Sequence, residues 1–400
     1  MGSHPVLLRE TRHNRYSLNA LAAILSGSRV PWAVARTPDG VAGFLASAPR
    51  AVVLYSFMTP ALEAVRDEVL GHRARFPRAR WVAGGPHPTA DPEGTLALGF
   101  DHVFAGEAER TLPRFLSLGD GDRVIRDPDG GPRHLDPVPP LVPERPGPVE
   151  ITRGCRGKCR FCFVGRRPVR HRSPAAVLAA ARVLRRTGRT VVRFITPDAL
   201  AYGGGLGAVE ELLRALRAEG MEPVLGAFPS EVRPERVTPE AAGVLARYCH
   251  NRVVVLGGQS GSDAVLRRLR RGHTVAEVLR AALTLRGAGL TPHVDLIFGL
   301  PGESPGEQAA TVSLARRLIR EAGARIHAHY FHPLPGTPFW SEDPAPLYPG
   351  TLRFLESTER GGALDGSWRD QARLAARVRT WVDEGLIRLP RQVVPHRKIR

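Results

Sequence analysis

The segment Thr152-Arg-Gly-Cys155-Arg-Gly-Lys-Cys159-Arg-Phe-Cys162-Phe places three of the chain's four cysteines within eight positions. Four cysteines in 400 residues are too few for a disulfide scaffold, so this clustering indicates metal binding. Three thiolates are one short of closing a zinc site or a four-cysteine iron–sulfur cluster. An iron cube bound by Cys155, Cys159 and Cys162 would keep one iron open to a small ligand. The alternative is a zinc ion completed by a histidine such as His171, although zinc spacings usually come as CxxC pairs.

The cysteine segment follows the first of six predicted strands, and helices separate these strands. The strands are expected at residues 149–152, 191–196, 223–227, 253–257, 293–298 and 327–331. The main helices are expected at residues 174–187, 208–219, 275–287 and 307–322, followed by a helical tail at 349–386. Six βα units describe a partial (β/α)6 barrel of the TIM type, with chemistry expected at the carboxyl ends of its strands.

The first 119 residues contain a separate series of five strands that alternate with helices. The strands are expected at residues 6–9, 32–35, 51–56, 80–83 and 102–105, and the helices at 17–25, 39–46, 60–75, 92–98 and 107–118. This pattern predicts an α/β chain with an N-terminal doubly wound, Rossmann-like domain, whose ligand would lie at the strand carboxyl ends. Residues 120–148, rich in Asp, Gly and Pro, are expected to link this domain, 1–119, to the barrel, 149–345, and to a C-terminal helical extension, 346–400.

The spacing CxxxCxxC, with the aromatic Phe161 before the third cysteine, resembles the signature of radical S-adenosylmethionine (SAM) enzymes. In that superfamily three cysteines hold a 4Fe-4S cluster, the open iron binds the methionyl group of SAM, and cleavage gives a 5′-deoxyadenosyl radical. The stretches 257–260 and 294–303 resemble the branch that includes the oxygen-independent coproporphyrinogen dehydrogenases. The SAM-binding positions implied by the resemblance are Phe161, Asp198, Glu231, Gln259, Ser260, Arg271, Asp295 and Gly299.

The same resemblance assigns roles to some of these positions. Gln259 and Asp295 would contact the ribose or the methionyl end of SAM, and Arg271 would pair with its carboxylate. The family often carries Gly-Gly-Glu after the second strand to receive the methionyl amine. This chain has Thr196 and Asp198 there instead, and either side chain is expected to take that role.

The N-terminal domain, placed ahead of a radical barrel, resembles the cobalamin-binding domain of B12-dependent radical enzymes. The stretches that carry the resemblance are Val82-Ala-Gly-Gly-Pro-His87-Pro and Phe104-Ala-Gly-Glu107-Ala-Glu109. The motif Asp-x-His-x-x-Gly, which donates a histidine to cobalt, is absent after the first strand. His13 and His87 are the alternative histidines, and many radical enzymes of this class bind the corrin without one. The implied cobalamin-binding positions are Ser56, Thr59, Gly84, Gly85, His87, Gly106 and Glu107.

The combined layout resembles a group of B12-binding-domain radical proteins and predicts cobalamin-dependent methyl transfer to an unactivated carbon. A radical oxidoreductase or cyclase without methyl transfer is the second hypothesis. The third is a non-enzymatic nucleic-acid-binding iron–sulfur protein that uses the basic segment from Arg166 to Arg172. Methylthio transfer to tRNA is not favoured, because it requires further cysteines. Only Cys249 remains, and we expect it to be a small buried hydrophobic residue.

The net charge of +18 attracts phosphate backbones without specificity. All but two of the 57 basic residues are arginine, which is typical of a GC-rich coding sequence, so a nucleic-acid partner is not favoured. The expected partners are an electron donor of the flavodoxin or ferredoxin type and a small-molecule or peptide substrate. No run of about 18 apolar residues and no secretion signal is present, so we expect a cytoplasmic protein outside the membrane. The substrate pocket is expected to include His327, His329, Tyr330, His332 and Trp340.

Overall fold

The computed structural model describes residues 4–119 and 121–389, which divide into two compact units. The first unit comprises the chain up to Gly147 together with the segment that starts at Arg379, and the second unit is Pro148–Val378. Among the described residues, the structure contains no helix with the length and hydrophobicity that crossing a bilayer requires.

A six-stranded parallel sheet with helices between its strands forms the first unit. The strands are β1 (Val6–Arg9), β2 (Trp32–Ala35), β3 (Val52–Ser56), β4 (Arg80–Gly84), β5 (His102–Phe104) and β6 (Val124–Ile125). The helices are α1 (Arg15–Gly27), α2 (Pro38–Ser47), α3 (Leu62–Arg75), α4 (Pro86–Ala90), α5 (Pro92–Ala97) and α6 (Thr111–Leu118). The strand order is β2-β1-β3-β4-β5-β6, which is a doubly wound arrangement and confirms the predicted Rossmann-like fold. The short strand β6 was not expected from the sequence.

The strands of this sheet are continuous apolar runs because both faces of the sheet are covered. All four residues of β1 and all five of β3 are buried. Parallel sheets flanked by helices on both sides favour such runs over an alternating pattern. Strands β1 and β3 each end on a polar residue, Arg9 and Ser56, and β4 ends on Gly84.

The second unit is a parallel, barrel-type arrangement of strands and helices. Its strands are β7 (Val149–Glu150), β8 (Thr152–Arg153), β9 (Arg170–His171), β10 (Val191–Ile195), β11 (Glu222–Val224), β12 (Val253–Gln259), β13 (Thr291–Phe298), β14 (Arg325–Tyr330) and β15 (Leu364–Asp365). Its helices are α7 (Pro174–Arg186), α8 (Leu206–Ala218), α9 (Pro239–Tyr248), α10 (Asp263–Arg268), α11 (Val275–Gly287), α12 (Pro305–Ala322), α13 (Pro349–Arg360) and α14 (Trp368–Asp383), whose residues from Arg379 onwards belong to the first unit.

Two parallel sheets make up the barrel, in the orders β7-β10-β11 and β12-β13-β14-β15. The parallel bridges Thr196↔Ser230 and Val232↔Leu256 continue the pairing between them. This arrangement confirms the predicted partial barrel. The short antiparallel pair β8 and β9 lies outside the barrel order and frames the cysteine segment.

The C-terminal part of the chain is helical, as expected for residues 349–386, and a short strand interrupts it. Strand β15 separates α13 from α14 and pairs with β14 in the barrel. Gly366, with φ 128°, allows this strand to leave the sheet, since a Cβ there would lie 2.1 Å from the Ala328 carbonyl oxygen. The segment from Arg379 packs in the first unit, where Trp381 Nε1 donates to Glu63 Oε1 at 3.1 Å and the Arg388 amide donates to Asp91 Oδ2 at 2.8 Å.

Candidate active site

The three clustered cysteines lie on a loop that leaves β8 at its carboxyl end. Gly154 starts the loop with φ 80°, and a Cβ there would lie 2.2 Å from the Pro168 carbonyl oxygen, so only glycine fits. Further along, the Arg160 amide donates to the Leu269 carbonyl at 3.0 Å, and the Arg160 carbonyl accepts from the Phe339 amide at 3.1 Å. Backbone hydrogen bonds to two other segments therefore fix the path of the thiol-bearing loop.

The three thiols of this loop are near one another. Cys159 is buried, and Cys155 and Cys162 are half-buried. Burial raises the pKa of the Cys162 thiol, and the neighbouring Cys159 and Cys155 raise it further. Within residues 4–119 and 121–389, the sets of three ligand atoms lying within 4.8 Å of one another do not include these sulfurs.

Arg271 is a buried cation beside one of these thiols. Its Nη1 lies 3.5 Å from Cys159 Sγ, and its Nη2 donates to the Gly257 carbonyl at 2.8 Å. A Cβ at Gly257 would lie 2.2 Å from Nη2, so the glycine makes room for the guanidinium. The structure thus brings the predicted SAM-binding arginine into contact with a predicted cluster ligand.

The carboxyl groups of buried Asp295 and half-buried Glu231 face this arginine. Burial raises the pKa of both Glu231 and Asp295, the charge of Glu231 raises that of Asp295 further, and the guanidinium of Arg271 lowers both. Asp295 Oδ1 also lies 3.9 Å from His329 Nε2. The two carboxyl groups therefore place hydrogen-bonding oxygens in the surroundings of Arg271.

Asp198, which follows β10, offers a carboxylate oxygen without a partner. Its Oδ2 accepts from Arg236 Nε at 2.8 Å, whereas Oδ1 is buried and has no hydrogen bond within the described chain. Burial raises the pKa of this carboxyl group. The Thr196 hydroxyl instead donates to the backbone carbonyl of Asp198 at 3.2 Å. Of the two candidates, Asp198 therefore fits the methionyl amine better, because a buried orphaned oxygen gains most from an ammonium donor.

Gln259 ends β12 in a backbone conformation that side chains rarely adopt. Its φ is 69°, its side chain is buried, and the register with β13 shifts between Gly257 and Gln259. A non-glycine residue in the left-handed region costs roughly 1–3 kcal/mol and is concentrated at functional sites. The bulge changes the direction of the chain at the end of β12, where the resemblance to radical SAM enzymes predicts a SAM contact.

Three other predicted SAM-binding positions are packed against residues of the second unit. The Ser260 hydroxyl lies 3.2 Å from Thr311 Oγ1, and Phe161 packs against an apolar cluster that includes Leu269 and Phe339. The resemblance implies that Gly299 lets the backbone approach adenine. In the structure its free side is filled by Tyr330, whose Cε2 would lie 2.3 Å from a Cβ. These three positions therefore shape the site, but they do not direct a side chain towards a ligand.

A charged network beside the cysteine loop was missed by the sequence reading. Arg233 Nη2 donates to the Arg271 carbonyl and Nε to Glu235 Oε1, while Glu235 Oε2 lies 3.4 Å from His273 Nδ1. Burial opposes the charge of Glu235, but the hydrogen bond from His273 and the charge of Arg233 lower its pKa to about 2. The segment that supplied Glu231 also contains Arg233, but the contacts to residues some 40 positions later depend on the fold.

Two arginines of the basic segment 166–172, Arg170 and Arg172, are engaged with the protein. Arg172 is buried and its Nη2 lies 3.6 Å from Glu150 Oε2, and Arg170 is half-buried in β9, paired with β8. These arginines hold the strand pair that frames the cysteine loop. The segment gives little support to the nucleic-acid hypothesis, which needs exposed charge.

In the first unit, the candidate cobalamin positions lie at the carboxyl ends of β3, β4 and β5. Gly85, with φ 100°, brings the β4 end against Phe57, whose backbone N and O would both lie 2.9 Å from a Cβ. Gly106, with φ 137°, has open space where a Cβ would point, and Met58 is 41% exposed. Ser56 and Glu107 are buried beside these loops. An open glycine backbone and an exposed apolar side chain fit the face of a corrin.

Neither alternative histidine is placed as an obvious cobalt ligand. His13 is exposed, ahead of α1. His87 is 1% exposed, its ring stacks on Phe57 with centroids 5.5 Å apart, and its Nδ1 lies 3.1 Å from Thr59 Oγ1. The buried ring of His87 therefore belongs to the packing of the strand-end loops, together with Thr59.

We expect His87 to make the first unit sensitive to acid. Burial lowers the pKa of His87 to about 4 from 6.5, so the unfolded chain binds a proton that the folded chain excludes. The stability that depends on this neutral ring is complete above pH 6.5 and is lost as pH falls towards 4, by roughly 2–3 kcal/mol. In His87→Leu, hydrogen exchange of the β3 and β4 amides should show a flatter dependence on pH between 7 and 4. His13→Leu should retain the native slope, and an equally steep slope in His87→Leu would contradict the assignment.

Comparison with known proteins agrees with both units. Residues 149–315 match the Radical SAM superfamily, and residues 9–116 match the B12 binding domain. The protein MK0932 of Methanopyrus kandleri is 27% identical over 377 residues, which cover 78% of this chain and 71% of that protein. The tRNA-2-methylthio-N(6)-dimethylallyladenosine synthase of Parafrankia sp. is 34% identical over 59% of this chain, and the match spans 49% of the synthase.

Two solved structures share the fold. The radical S-adenosylmethionine methyltransferase TsrM from Kitasatospora setae has a TM-score of 0.65 and 19% identity, covering 84% of this chain and 75% of TsrM. The cobalamin-dependent S-adenosylmethionine radical enzyme OxsB has a TM-score of 0.63 and 12% identity, covering 95% of this chain and 66% of OxsB. The chain is a radical SAM enzyme with an N-terminal B12-binding domain. Its cofactors are accordingly a 4Fe-4S cluster, SAM and cobalamin.

Proposed function

We propose that this enzyme is a cobalamin-dependent radical SAM methyltransferase that acts on an unactivated carbon of its substrate. The observation that carries the proposal is the presence, in one chain, of a B12-binding unit and a barrel whose three-thiol loop lies against Arg271. The cluster supplies the electron that cleaves SAM, and cobalamin supplies a methyl group. A reductant such as a flavodoxin or ferredoxin would provide the electron.

The residues of the barrel would bind and orient SAM. Cys155, Cys159 and Cys162 would hold the cluster, and a cluster with three protein ligands would accept the methionyl group of SAM as a further ligand. Arg271 offers a guanidinium fork to the methionyl carboxylate, and the orphaned Oδ1 of Asp198 accepts the methionyl amine. Gln259 and Asp295 would contact the ribose or the methionyl end of SAM, and Glu231 would make a further polar contact. These side chains would hold the nucleoside in place. Their position matters because a small misplacement of the reacting atoms strongly slows radical transfer.

Methylthio transfer is not supported by the thiols of this chain. That chemistry needs a second cluster, and Cys249 is the one cysteine of the sequence outside the loop. Cys249 is 6% exposed, and burial raises the pKa of its thiol to about 12, so it does not supply a thiolate ligand. In our proposal, the similarity to the tRNA-modifying synthase therefore reflects the barrel that the two proteins have in common.

The proposal is tested by anaerobic reconstitution with iron, sulfide and hydroxocobalamin, followed by gel filtration. We expect about one cobalamin per chain, and, with SAM and a reductant, both 5′-deoxyadenosine and S-adenosylhomocysteine. The second product reports methyl transfer from SAM to the corrin. Formation of 5′-deoxyadenosine without S-adenosylhomocysteine would favour the radical oxidoreductase or cyclase, and salt-sensitive RNA binding without either product would favour the nucleic-acid hypothesis.

A matched pair of surface variants tests the corrin-binding face. Met58 is 41% exposed on the loop after β3, and Leu118 is 72% exposed at the carboxyl end of α6. A helix that follows a parallel strand runs back along the sheet, so Leu118 lies at the opposite edge from the strand carboxyl ends. Met58→Asp should reduce cobalamin retention by about tenfold, since a carboxylate against the corrin must be desolvated. Leu118→Asp should retain native cobalamin, and equal losses in both variants would refute this placement.

A further inference from the structure

A cluster of histidine and aspartate side chains lies on one face of the last three barrel strands. His293 and Asp295 are on β13, His327 is on β14, and Asp365 is on β15, with Asp295 paired to His327 and His327 paired to Asp365 in the register. The intervening residues of β13 and β14, at positions 294, 296, 326 and 328, are completely buried in the packing on the other face. The polar side chains therefore share the remaining face of this sheet.

Two imidazoles converge on one carboxylate oxygen in this cluster. His293 Nε2 lies 3.2 Å from Asp365 Oδ1, and His327 Nδ1 contacts the same oxygen. The two rings are edge to face, with centroids 5.5 Å apart. One donor atom from each of the three residues lies within 4.8 Å of the other two. We propose that His293, His327 and Asp365 form a binding site for a divalent transition-metal ion such as Zn²⁺, Fe²⁺, Mn²⁺ or Co²⁺.

The separation of His293 Nε2 from Asp365 Oδ1 suits a shared ion, whereas His327 Nδ1, at 2.5 Å from the same oxygen, would have to draw back slightly when the ion binds. Ligand atoms bound to one ion at about 2.1 Å are separated by roughly 3.0–3.4 Å in octahedral or tetrahedral geometry. The 3.2 Å between His293 Nε2 and Asp365 Oδ1 falls in that range. Two histidines and one carboxylate are a ligand set that leaves coordination positions open, and the three side chains are 19–39% exposed. Water or a substrate oxygen has access to those positions.

The surroundings hold the ligands in orientation. Arg325 Nη2 donates to Asp365 Oδ2 at 3.1 Å, which leaves Oδ1 for the ion. All three ligands are on strands, which position side chains more accurately than loops do. A second set of three possible metal ligands consists of Asp295, His327 and His329, so His327 belongs to both sets. Because Asp295 faces Arg271 and Glu231 in the SAM site, the set on Asp365 is the one that we assign to the ion.

The site is tested on protein whose three-cysteine cluster has been reconstituted, so that the loop thiols are occupied. After chelation of loose metal, titration with Co²⁺ should give one bound ion per chain with d–d absorption and no thiolate charge-transfer band. His293→Gln and His327→Gln should each weaken Co²⁺ binding by at least about tenfold. The iron content and visible spectrum of the cluster should be unchanged in both variants, which shows that each is folded.

Controls separate this site from other histidine and carboxylate pairs. His250 Nδ1 lies 3.7 Å from Glu222 Oε2, and residues 4–119 and 121–389 offer no third ligand there, so His250→Gln should bind Co²⁺ as the native chain does. Asp295→Asn should also bind Co²⁺ normally. Absence of stoichiometric Co²⁺ in the native protein, or native affinity in His327→Gln, would overturn the proposal and leave the cluster as a hydrogen-bond network. Loss of Co²⁺ in Asp295→Asn would assign the ion to the other set and equally overturn it.

Discussion

Cys159→Ala is expected to prevent assembly of the 4Fe-4S cluster and to reduce formation of 5′-deoxyadenosine by at least about 1,000-fold, roughly 4 kcal/mol in the barrier. Cys159 is the most buried of the three loop thiols, at 6% exposure, and its sulfur lies against the guanidinium of Arg271. Two remaining thiols cannot hold a cube with one open iron. Iron and sulfide content, the electron paramagnetic resonance signal of the reduced protein, and nucleoside analysis measure the effect.

Cys249→Ala is the matched control, because Cys249 is equally buried but is remote from the loop in sequence and stays a protonated thiol. This variant should assemble a full cluster, with a loss of stability of about 1 kcal/mol from the missing sulfur. Four irons per chain in Cys159→Ala would mean that another residue is the third ligand. A missing cluster in Cys249→Ala, with the protein folded, would mean that the loop is not the complete set of thiols.

The fold was largely predictable because it depends on local apolar patterns. The ends of β1 and β2 agree with expectation residue for residue, and those of β13 and β14 agree within two residues. A run of buried apolar residues bounded by glycine or polar residues is visible in the sequence, as is the cysteine spacing. The parallel barrel follows from alternation of such runs with amphipathic helices.

Features that depend on long-range pairing were not predictable in the same way. Strand β15 is two residues long, and its position next to β14 depends on Gly366 and on a gap between two helices. The convergence of His327 with Asp365 follows from that pairing, although the alternation His327-Ala-His329 was visible on β14. The packing of the segment from Arg379 in the first unit likewise has no local signal, since it joins residues some 300 positions apart.

The candidate site was predicted best where the residue type dictates the chemistry. Arg271 and Asp295 do lie near each other, because strand ends and the loop after α10 converge on the Gly257 carbonyl. Ser260 and Gly299 belong to the same family motifs. However, Thr311 packs against Ser260, and Tyr330 packs against Gly299. A motif specifies where the backbone goes, whereas the packing around each side chain decides whether it faces a ligand.

Arg271→Ala should leave the cluster in place and weaken SAM binding by about 100-fold or more. A charge-assisted hydrogen bond contributes about 1.5–3 kcal/mol, and the fork of Arg271 can offer two to a carboxylate. The substitution also leaves Glu231 and Asp295 without their shared guanidinium, and it removes the cation 3.5 Å from Cys159 Sγ. We therefore expect native iron content, a higher Kd for SAM in equilibrium dialysis, and a lower reduction potential of the cluster.

The two functions of this arginine can be separated by Arg271→Lys. Lysine keeps the positive charge, so the potential should return towards the native value. It lacks the planar fork, so the affinity for SAM should stay low. Arg267, exposed on α10, supplies the control, and Arg267→Ala should match the native chain in both measurements. If Arg271→Ala bound SAM as tightly as the native chain, the guanidinium would serve the cysteine loop alone, and another cation would have to receive the methionyl carboxylate.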